Sequence, residues 1–170
     1  DGAEIKYFNN VKANGNSCKE DGGAFYVFGR SGTLSVKGTD TVFENNTAKR
    51  GGAIWYYRRY SSASDQNESP VQVEILAGKF DSNSADTYGG AFYLDPRSNT
   101  SKSTGGTYET KDLRNFIWNG VIISNNRAGQ RGGGVYANHN LILYNVQIVD
   151  NEVYASSSSG GGGGVYCTGH

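Results

Sequence analysis

The residues best suited to binding a ligand form one short run, Trp55-Tyr56-Tyr57-Arg58-Arg59-Tyr60. Aromatic and arginine side chains are enriched at binding hot spots. Guanidinium groups beside aromatic rings can stack on a sugar or pair with the carboxylate of a uronic acid. A strand end with solvated arginines would have the same composition, so that interpretation stays open. The candidate binding residues of this run are Tyr57, Arg58, Arg59 and Tyr60.

Catalytic groups have less support in the sequence. No two aspartates are adjacent, although glycosidase carboxyl groups, which stand about 5–9.5 Å apart, could come from neighbouring turns of a repeat. His139 and His170 have no Cys or Glu at metal-ligand spacing. The sequence therefore predicts no metal and no cofactor, and it favours a non-enzymatic protein over an enzyme.

Charge and composition exclude several classes of partner. The chain of 170 residues carries 16 Lys and Arg against 16 Asp and Glu, whereas nucleic acids and acidic membranes attract a basic excess. No apolar run approaches the roughly 18 residues of a membrane-spanning helix. Glycine is abundant, with 25 residues, yet 12% of the residues are aromatic, which disordered glycine-rich chains lack.

A glycine-pair motif recurs five times and sets a period. Its first glycines stand 29, 38, 43 and 30 residues apart, so the shortest unit is about thirty residues and the longer ones carry insertions. The copies are Gly22-Gly23-Ala24-Phe25-Tyr26, Gly51-Gly52-Ala53-Ile54-Trp55, Gly89-Gly90-Ala91-Phe92-Tyr93, Gly132-Gly133-Gly134-Val135-Tyr136 and Gly162-Gly163-Gly164-Val165-Tyr166.

A second motif, an apolar residue followed three positions later by Asn, precedes the glycine pairs. Its clearest copies end at Asn46, Asn83 and Asn126, and Ile148…Asn151 and Val11…Asn14 are weaker copies. The asparagine column is formed by Asn46, Asn83, Asn126 and Asn151. Asn tolerates left-handed backbone, and its amide can bond to the amides one repeat above and below. We therefore expect these four side chains to form a structural ladder.

Each repeat holds about three short apolar alternations separated by Gly or Asn bends, and such a unit cannot bury a face alone. Stacking the units does bury one. The sequence predicts an all-β fold, a parallel β-helix of about five coils with three short strands each, in one segment over residues 1–170. Insertions are expected near 57–69, 95–112 and 155–161, which are rich in turn formers.

The paired GGA[I/L/V/F] and FxxN motifs resemble the repeats of the chlamydial polymorphic outer-membrane proteins and, more widely, surface proteins of the pectin-lyase-like superfamily. The resemblance covers essentially the whole chain. It implies a right-handed parallel β-helix, an extracellular or cell-surface location, and a range of functions from adhesins and rods to polysaccharide lyases and glycosidases.

The aromatic residue after each glycine motif forms a further column. Because side chains alternate along a strand, the apolar residue before it is expected to face the core and the ring to face outward. The rings could stack on one another and shield the wall, or form a flat sugar-binding platform. The residues are Tyr26, Trp55, Tyr93, Tyr136 and Tyr166.

Three glycosylation sequons begin at Asn45, Asn67 and Asn99, the last two in expected insertions. Cys18 and Cys167 fall in the first and last repeats, too far apart for a disulfide, and Cys167 is expected to be a buried small side chain.

The main functional prediction is a non-enzymatic extracellular or cell-surface β-helix, acting as an adhesin passenger or a structural filament rod. Its expected partners are adjoining coils of the same or another chain, and a host-surface protein or glycan. The alternatives are a carbohydrate-binding wall built on the aromatic rings, and a polysaccharide lyase or glycoside hydrolase. Because no polar cap is evident at either end, we expect a piece of a longer solenoid or a unit that stacks end to end.

Overall fold

The computed structural model describes residues 7–29, 33–59, 71–97, 114–138, 140–154 and 160–168. All the regular secondary structure within these ranges consists of β-strands, which follow one another in five coils. Coil 1 contains β1 (Tyr7–Asn9), β2 (Lys12–Asn14) and β3 (Phe25–Gly29). Coil 2 contains β4 (Leu34–Lys37), β5 (Val42–Glu44), β6 (Thr47–Arg50) and β7 (Ile54–Arg59). Coil 3 contains β8 (Val71–Ile75), β9 (Lys79–Asp81), β10 (Ser84–Tyr88) and β11 (Phe92–Arg97). Coil 4 contains β12 (Arg114–Trp118), β13 (Ile122–Ser124), β14 (Arg127–Ala128) and β15 (Val135–Ala137). Coil 5 contains β16 (Asn140–Tyr144), β17 (Gln147–Val149), β18 (Glu152–Val153) and β19 (Val165–Cys167).

Equivalent strands of successive coils pair in parallel and form four sheets. Sheet A is β1-β4-β8-β12-β16, sheet B is β2-β5-β9-β13-β17, sheet C is β6-β10-β14-β18 and sheet D is β3-β7-β11-β15-β19. All strand pairs are parallel, and the register aligns the repeats, as where Phe43 lies beside Phe80. The predicted parallel β-helix of five coils is confirmed.

The coil contains one more strand than the three expected from sequence. Sheet C lies between the Asn motif and the glycine pair, and its strands present a single small or medium apolar side chain inward, such as Ala48 or Ala85. One inward residue is too few to produce a visible alternation. In coil 1 this position is held by isolated bridges from Ser17 to Thr47 and from Asp21 to Arg50.

The core is a continuous stack of inward-facing apolar side chains. Phe43 and Phe80 stack with ring centroids 5.1 Å apart, and Phe92 packs on Phe80 at 4.3 Å. As expected, the apolar residues that precede the aromatic column lie in or against this core. Contacts of this kind lie within one coil or between neighbouring coils, which is the packing logic of a solenoid.

Two bends hold each coil in shape. At the bend between sheets B and C, the residue before each ladder Asn takes left-handed φ, from 52° to 54° at Asn45, Ser82, Asn125 and Asp150. At the entry to sheet D, the first glycine of each pair has φ between 62° and 69°. The second glycine meets a different constraint: a Cβ at Gly90 would overlap the carbonyl oxygen of Gly133 in the next coil. In coils 1 to 4, neither glycine can therefore be replaced without strain.

The expected insertions lie mostly outside the described residues, at 60–70, 98–113 and 155–159. Their first expected residues, 57–59 and 95–97, instead belong to β7 and β11, because these two strands stay paired as far as Arg59 and Arg97. The two longest insertions both connect sheet D to sheet A. Within the described ranges, no helix is both long and apolar enough to cross a bilayer.

Candidate functional site

The aromatic column lies on the outer face of sheet D. The residues on either side of each ring, such as Ile54 and Tyr56 around Trp55, belong to the core, whereas the rings form a separate cluster. Successive rings are nearly parallel, with interplanar angles of 3° to 14°. The centroid distances from Tyr26 through Trp55, Tyr93 and Tyr136 to Tyr166 are 4.5, 6.1, 4.9 and 5.5 Å.

Exposure differs sharply along this column. Trp55, Tyr93 and Tyr136 are at most 9% exposed, although they face away from the core. Tyr26, in coil 1, is 55% exposed, and Tyr166, in coil 5, is half-buried. The three central rings therefore lack the open flat surface that a sugar platform requires, and only the two ends of the column are accessible.

A neighbouring column covers these rings. It consists of the residues immediately before the glycine pairs, which bridge from coil to coil and are here called the pre-glycine column: Asp21, Arg50, Tyr88, Arg131 and Gly161. The Arg50 guanidinium lies 5.9 Å from the Trp55 ring and 5.4 Å from that of Tyr93, and Arg131 lies 4.8 Å from Tyr166. Tyr88 packs on Tyr136 at 5.1 Å. The pre-glycine column of the same chain therefore covers the rings on the outer face of sheet D through cation–π and ring contacts.

Arg50 is fixed by an ion pair with the previous coil. Its Nε and Nη2 donate to Oδ1 and Oδ2 of Asp21 at 2.7 and 2.6 Å. Hydrogen bonding to Asp21 raises the pKa of Arg50 against the opposing effect of its partial burial. A bidentate pair of this geometry orients the guanidinium plane over the rings.

A second outer row lies two residues further along sheet D. In coils 1 and 2 it is aromatic: Phe28 stacks on Tyr57 at 5.6 Å, and Tyr57 on Trp55 at 5.3 Å. In coils 3 and 4 it is polar: the Tyr93 hydroxyl donates to Asp95 Oδ2 at 3.3 Å and the Tyr136 hydroxyl to Asn138 Oδ1 at 3.4 Å. Burial, aided by the charge of Asp95, raises the pKa of Tyr136.

The four candidate binding residues of the run 57–60 differ in how far the structure describes them. Tyr57 is half-buried within the aromatic wall rather than projecting from a loop. The backbone of Arg58 and Arg59 continues β7, while their side chains and all of Tyr60 lie outside the described residues. Binding by this run stays a prediction.

The asparagine side chains form a continuous ladder at the bend between sheets B and C. Each Nδ2 donates to the Oδ1 of the next coil, from Asn46 to Asn83 at 2.9 Å and from Asn83 to Asn126 at 3.0 Å. The bond from Asn126 to Asn151 is 2.9 Å. Each Oδ1 also accepts the backbone N–H of the previous rung, at 2.9 to 3.1 Å for these three pairs.

A third bond completes each rung, because every Nδ2 also donates to a backbone carbonyl of the preceding coil, such as Phe43 O for Asn83 at 3.0 Å. The ladder has a fifth rung beyond the four expected from the sequence. Asn16, not Asn14, donates its Nδ2 to Asn46 Oδ1 at 2.8 Å. The strand register aligns Ala13 with Phe43, so the first motif begins at a small residue rather than a large apolar one.

The sequons differ in what the structure describes. Asn45 is exposed and donates its Nδ2 to Asn14 Oδ1 at 3.2 Å. Asn67 and Asn99 lie outside the described residues, as do His139 and His170. Cys18 and Cys167 lie in coils 1 and 5 and are not bonded to each other. Cys167 is exposed rather than buried, because β19 is the edge strand of sheet D among the described residues.

Carboxylates of the described coils serve structural pairs. Partial burial of Asp81 opposes its ionisation, but hydrogen bonds from Ser124, Asn125 and Lys79 outweigh this effect and lower its pKa. Those bonds measure 2.5, 2.8 and 3.2 Å. Among the described residues, no three His, Cys, Asp or Glu side chains come together in a group that could hold a metal ion.

Sequence reasoning missed an apolar patch on the outer face of sheet A. Phe116 lies beside Ile142, and Trp118 beside Tyr144, in the register of β12 and β16. Phe116 and Trp118 are half-buried, with ring centroids 5.4 Å apart, whereas Tyr144 is 66% exposed. A register-aware alignment of Trp118 with Tyr144 could have found this patch.

Two segments of the chain, residues 40–56 and 120–138, match the Chlamydia polymorphic membrane protein repeat. Comparison with curated proteins and with solved structures gave no match. Each matched segment runs from sheet B through sheet C into sheet D, and so contains one ladder rung, one glycine pair and one ring of the aromatic column. The matched repeat is thus the part of the coil that carries both columns.

Proposed function

We propose that this chain is a non-enzymatic cell-surface β-helix that acts as an adhesin-like rod. The observation that carries the proposal is the repeat match, which falls on the coil-forming part of coils 2 and 4. The matched family is described as a membrane protein, and that description is the ground for proposing a surface location. Stiffness follows from the uninterrupted stacking of neighbouring coils.

Specificity is assigned to the insertions between sheets D and A. Residues 60–70 follow β7 in the sequence and residues 98–113 follow β11, so both segments connect sheet D to sheet A. The same connection in coil 4 consists of residues 138–139 alone. Long connections on a rigid scaffold are common carriers of binding function. We therefore place host-surface recognition at these connections of coils 2 and 3.

Loop replacement tests this proposal. Residues 60–70 and 98–113 are each exchanged for a short Gly-Ser link, and attachment of coated beads to host cells is measured beside the thermal midpoint. Loss of attachment with an unchanged midpoint supports the proposal. The matched control exchanges residues 155–159, which connect sheets C and D in coil 5, and should keep attachment. Full attachment of a folded double replacement would contradict the proposal.

Carbohydrate binding is a second candidate, favoured by the exposed patch on sheet A. Tyr144 offers exposed ring surface there beside the half-buried Trp118, while the central rings of the aromatic column are covered. Aromatic faces with polar neighbours suit sugar rings. On a panel of polysaccharides, Tyr144→Ala should weaken binding and Tyr93→Ala should not, provided that both variants are folded. Cleavage of any polysaccharide would instead favour the lyase or hydrolase alternative.

A further inference from the structure

The chain contains no methionine, whereas its 170 residues include 12 Tyr, 2 Trp and 2 Cys. Methionine and cysteine are common sites of protein oxidation. A one-electron oxidant that reaches this protein therefore meets mainly tyrosine and tryptophan rings. Three of these rings, Trp55, Tyr93 and Tyr136, stack in the covered middle of the aromatic column, where each is at most 9% exposed. The covered rings thus belong to the main electron donors of the chain.

These rings are close enough to exchange an electron directly. The centroids of Trp55 and Tyr93 lie 6.1 Å apart and those of Tyr93 and Tyr136 lie 4.9 Å apart, with interplanar angles of 7° and 3°. Tyr57, which is half-buried, stacks on Trp55 at 5.3 Å from the second outer row of sheet D. Stacked rings meet through their π faces. An electron vacancy formed at Tyr57 can therefore pass to Trp55 and on to Tyr93.

Arg50 disfavours a positive charge on these rings. Its guanidinium lies 5.9 Å from the Trp55 ring and 5.4 Å from the Tyr93 ring, and the bidentate pair with Asp21 holds it there. A radical cation on either ring would be repelled by this guanidinium, and burial of the rings limits the screening of that repulsion by solvent. An oxidised ring is therefore stabilised when it also loses a proton.

The hydrogen bonds of the column determine which ring can lose a proton. The buried Nε1 of Trp55 has no hydrogen-bond partner among the described residues. The Tyr93 hydroxyl donates to Oδ2 of Asp95 at 3.3 Å, and Asp95 is 1% exposed. A carboxylate in hydrogen-bond contact is placed to accept a phenol proton. The Tyr136 hydroxyl donates instead to the amide oxygen of Asn138, which is a much weaker base.

We propose that Trp55 and Tyr93 form a one-electron relay in which Tyr93 is the final electron donor and Asp95 accepts its proton. A strong one-electron oxidant, such as a carbonate radical anion, takes an electron from Trp55, directly or through Tyr57, and becomes carbonate. Tyr93 then returns an electron to Trp55 while its hydroxyl proton moves to Oδ2 of Asp95. The products are the reduced oxidant, a neutral tyrosyl radical and a protonated Asp95. This activity goes beyond the proposed rod function and does not depend on it.

Neighbouring coils supply a natural comparison for this relay. The second outer row of sheet D has Tyr57, Asp95 and Asn138 at corresponding positions of coils 2, 3 and 4. Asp95→Asn gives coil 3 the residue type that coil 4 already has at this position, with little change in size. Asn138→Asp gives the Tyr136 hydroxyl a carboxylate in place of an amide. The two changes together move the proton acceptor from one ring to the next and leave the stack of rings in place.

Flash photolysis tests the proposal, with a ruthenium polypyridyl complex and persulfate as the oxidant and transient absorption as the readout. In the unaltered chain, tyrosyl absorbance should replace indole-radical absorbance in a phase whose rate is independent of protein concentration and slower in heavy water. Asp95→Asn and Tyr93→Phe should each lose this phase, so that the indole radical persists. Trp118→Phe, which removes the tryptophan of sheet A, should keep the phase. The thermal midpoint of each variant establishes that it is folded.

The double variant Asp95→Asn with Asn138→Asp tests the proton acceptor itself. The phase should return in this variant, because Tyr136 then has a carboxylate partner, and a further Tyr136→Phe change should remove it again. The proposal would be overturned if the unaltered chain lacked the phase, or if its rate were equal in ordinary and heavy water. Survival of the phase in folded Asp95→Asn, or its failure to return in the double variant, would likewise overturn it.

Discussion

The asparagine ladder and the aromatic column both run through all five coils, but they are built by different rules. Every rung of the ladder is the same residue, and its amide bonds vary only from 2.8 to 3.0 Å. The aromatic column mixes Tyr with Trp, and its centroid distances vary from 4.5 to 6.1 Å. Hydrogen bonds are directional, whereas stacking tolerates offset and a change of ring.

This difference separates two kinds of structural requirement. The ladder supplies partners to buried backbone groups, so a substituted rung leaves those groups unpaired. The aromatic column contributes area, and its polar atoms bond to different partners in different coils, such as Asp95 and Asn138. We therefore expect the ladder to reject substitutions of similar size and the column to accept them.

The largest expected effect comes from Asn83→Leu, which keeps the size of the side chain and removes its amide. The Asn46 N–H and the Phe43 carbonyl would lose their partners in a buried site. At about 1–3 kcal/mol for each unsatisfied group, the loss of unfolding free energy should be about 4 kcal/mol. Urea unfolding measures it as a lower midpoint at constant slope.

The matched change at the end of the ladder is Asn151→Leu, whose site is only partly buried. Water can replace part of the lost bonding there, so we expect about half the effect of Asn83→Leu. Equal losses at the two positions would show that the ladder does not act by satisfying buried groups.

Tyr93→Ala should rank second, with a loss of about 3 kcal/mol, since it opens a cavity between two stacked rings. Tyr93→Phe retains both ring contacts and loses the bonds of the hydroxyl group, among them the one to Asp95, so it should cost about 1 kcal/mol. Urea unfolding measures the loss of unfolding free energy for both Tyr93→Ala and Tyr93→Phe. A phenylalanine variant as unstable as the alanine variant would remove the contrast between ladder and column.

Tyr26→Ala should cost about 1 kcal/mol or less, because this ring has a stacking partner on one face and water on much of the rest. The comparison with Tyr93→Ala at equal chemistry isolates the effect of position in the column. A loss at Tyr26 as large as at Tyr93 would mean that burial does not determine the contribution of each ring.

The smallest effect is a pH dependence that the aromatic column has and the uncharged asparagine ladder lacks. The pKa of Tyr136 is raised above its ordinary value of 10.0 in the folded protein, so the unfolded chain loses this proton first. The stabilisation is complete below about pH 10 and falls as the pH rises toward the folded pKa. The stability difference between the unaltered chain and Tyr136→Phe should narrow above about pH 10, and a constant difference would contradict the assignment.

The fold was accessible from sequence because its strongest constraints fall on particular residue types. Left-handed bends and close coil contacts require glycine at Gly89 and Gly90, and amide pairing requires Asn at the ladder, so both leave visible repeats. Residues that are constrained only by side chains distant in the sequence leave no repeat that can be recognised in the sequence. The pre-glycine column changes from Asp21 to Arg50 to Tyr88, because each of these residues contacts a different ring or charge. The role of this column therefore could not be predicted from the sequence.

The candidate site shows the same limit. Alternation along β7 and β11 correctly separated the rings from the core, yet it could not indicate that Arg50, Tyr88 and Arg131 cover them. The exposure of each ring depends on the side chains that pack over it, and those side chains belong to a different part of the coil. The small residue Ala13 likewise concealed the first rung of the ladder.

The three bonds of each ladder rung reach only to adjacent coils, and this has a consequence for the lifetimes of the coils. An inner coil can open only after a neighbour has released it, so opening should begin at the two ends and move inward. Amide protons of β9 and β10 should then exchange with solvent most slowly, and those of β2 and β17 most quickly among the described strands of the bend. The molecule would carry a gradient of exchange times along its axis, although its repeats are chemically alike.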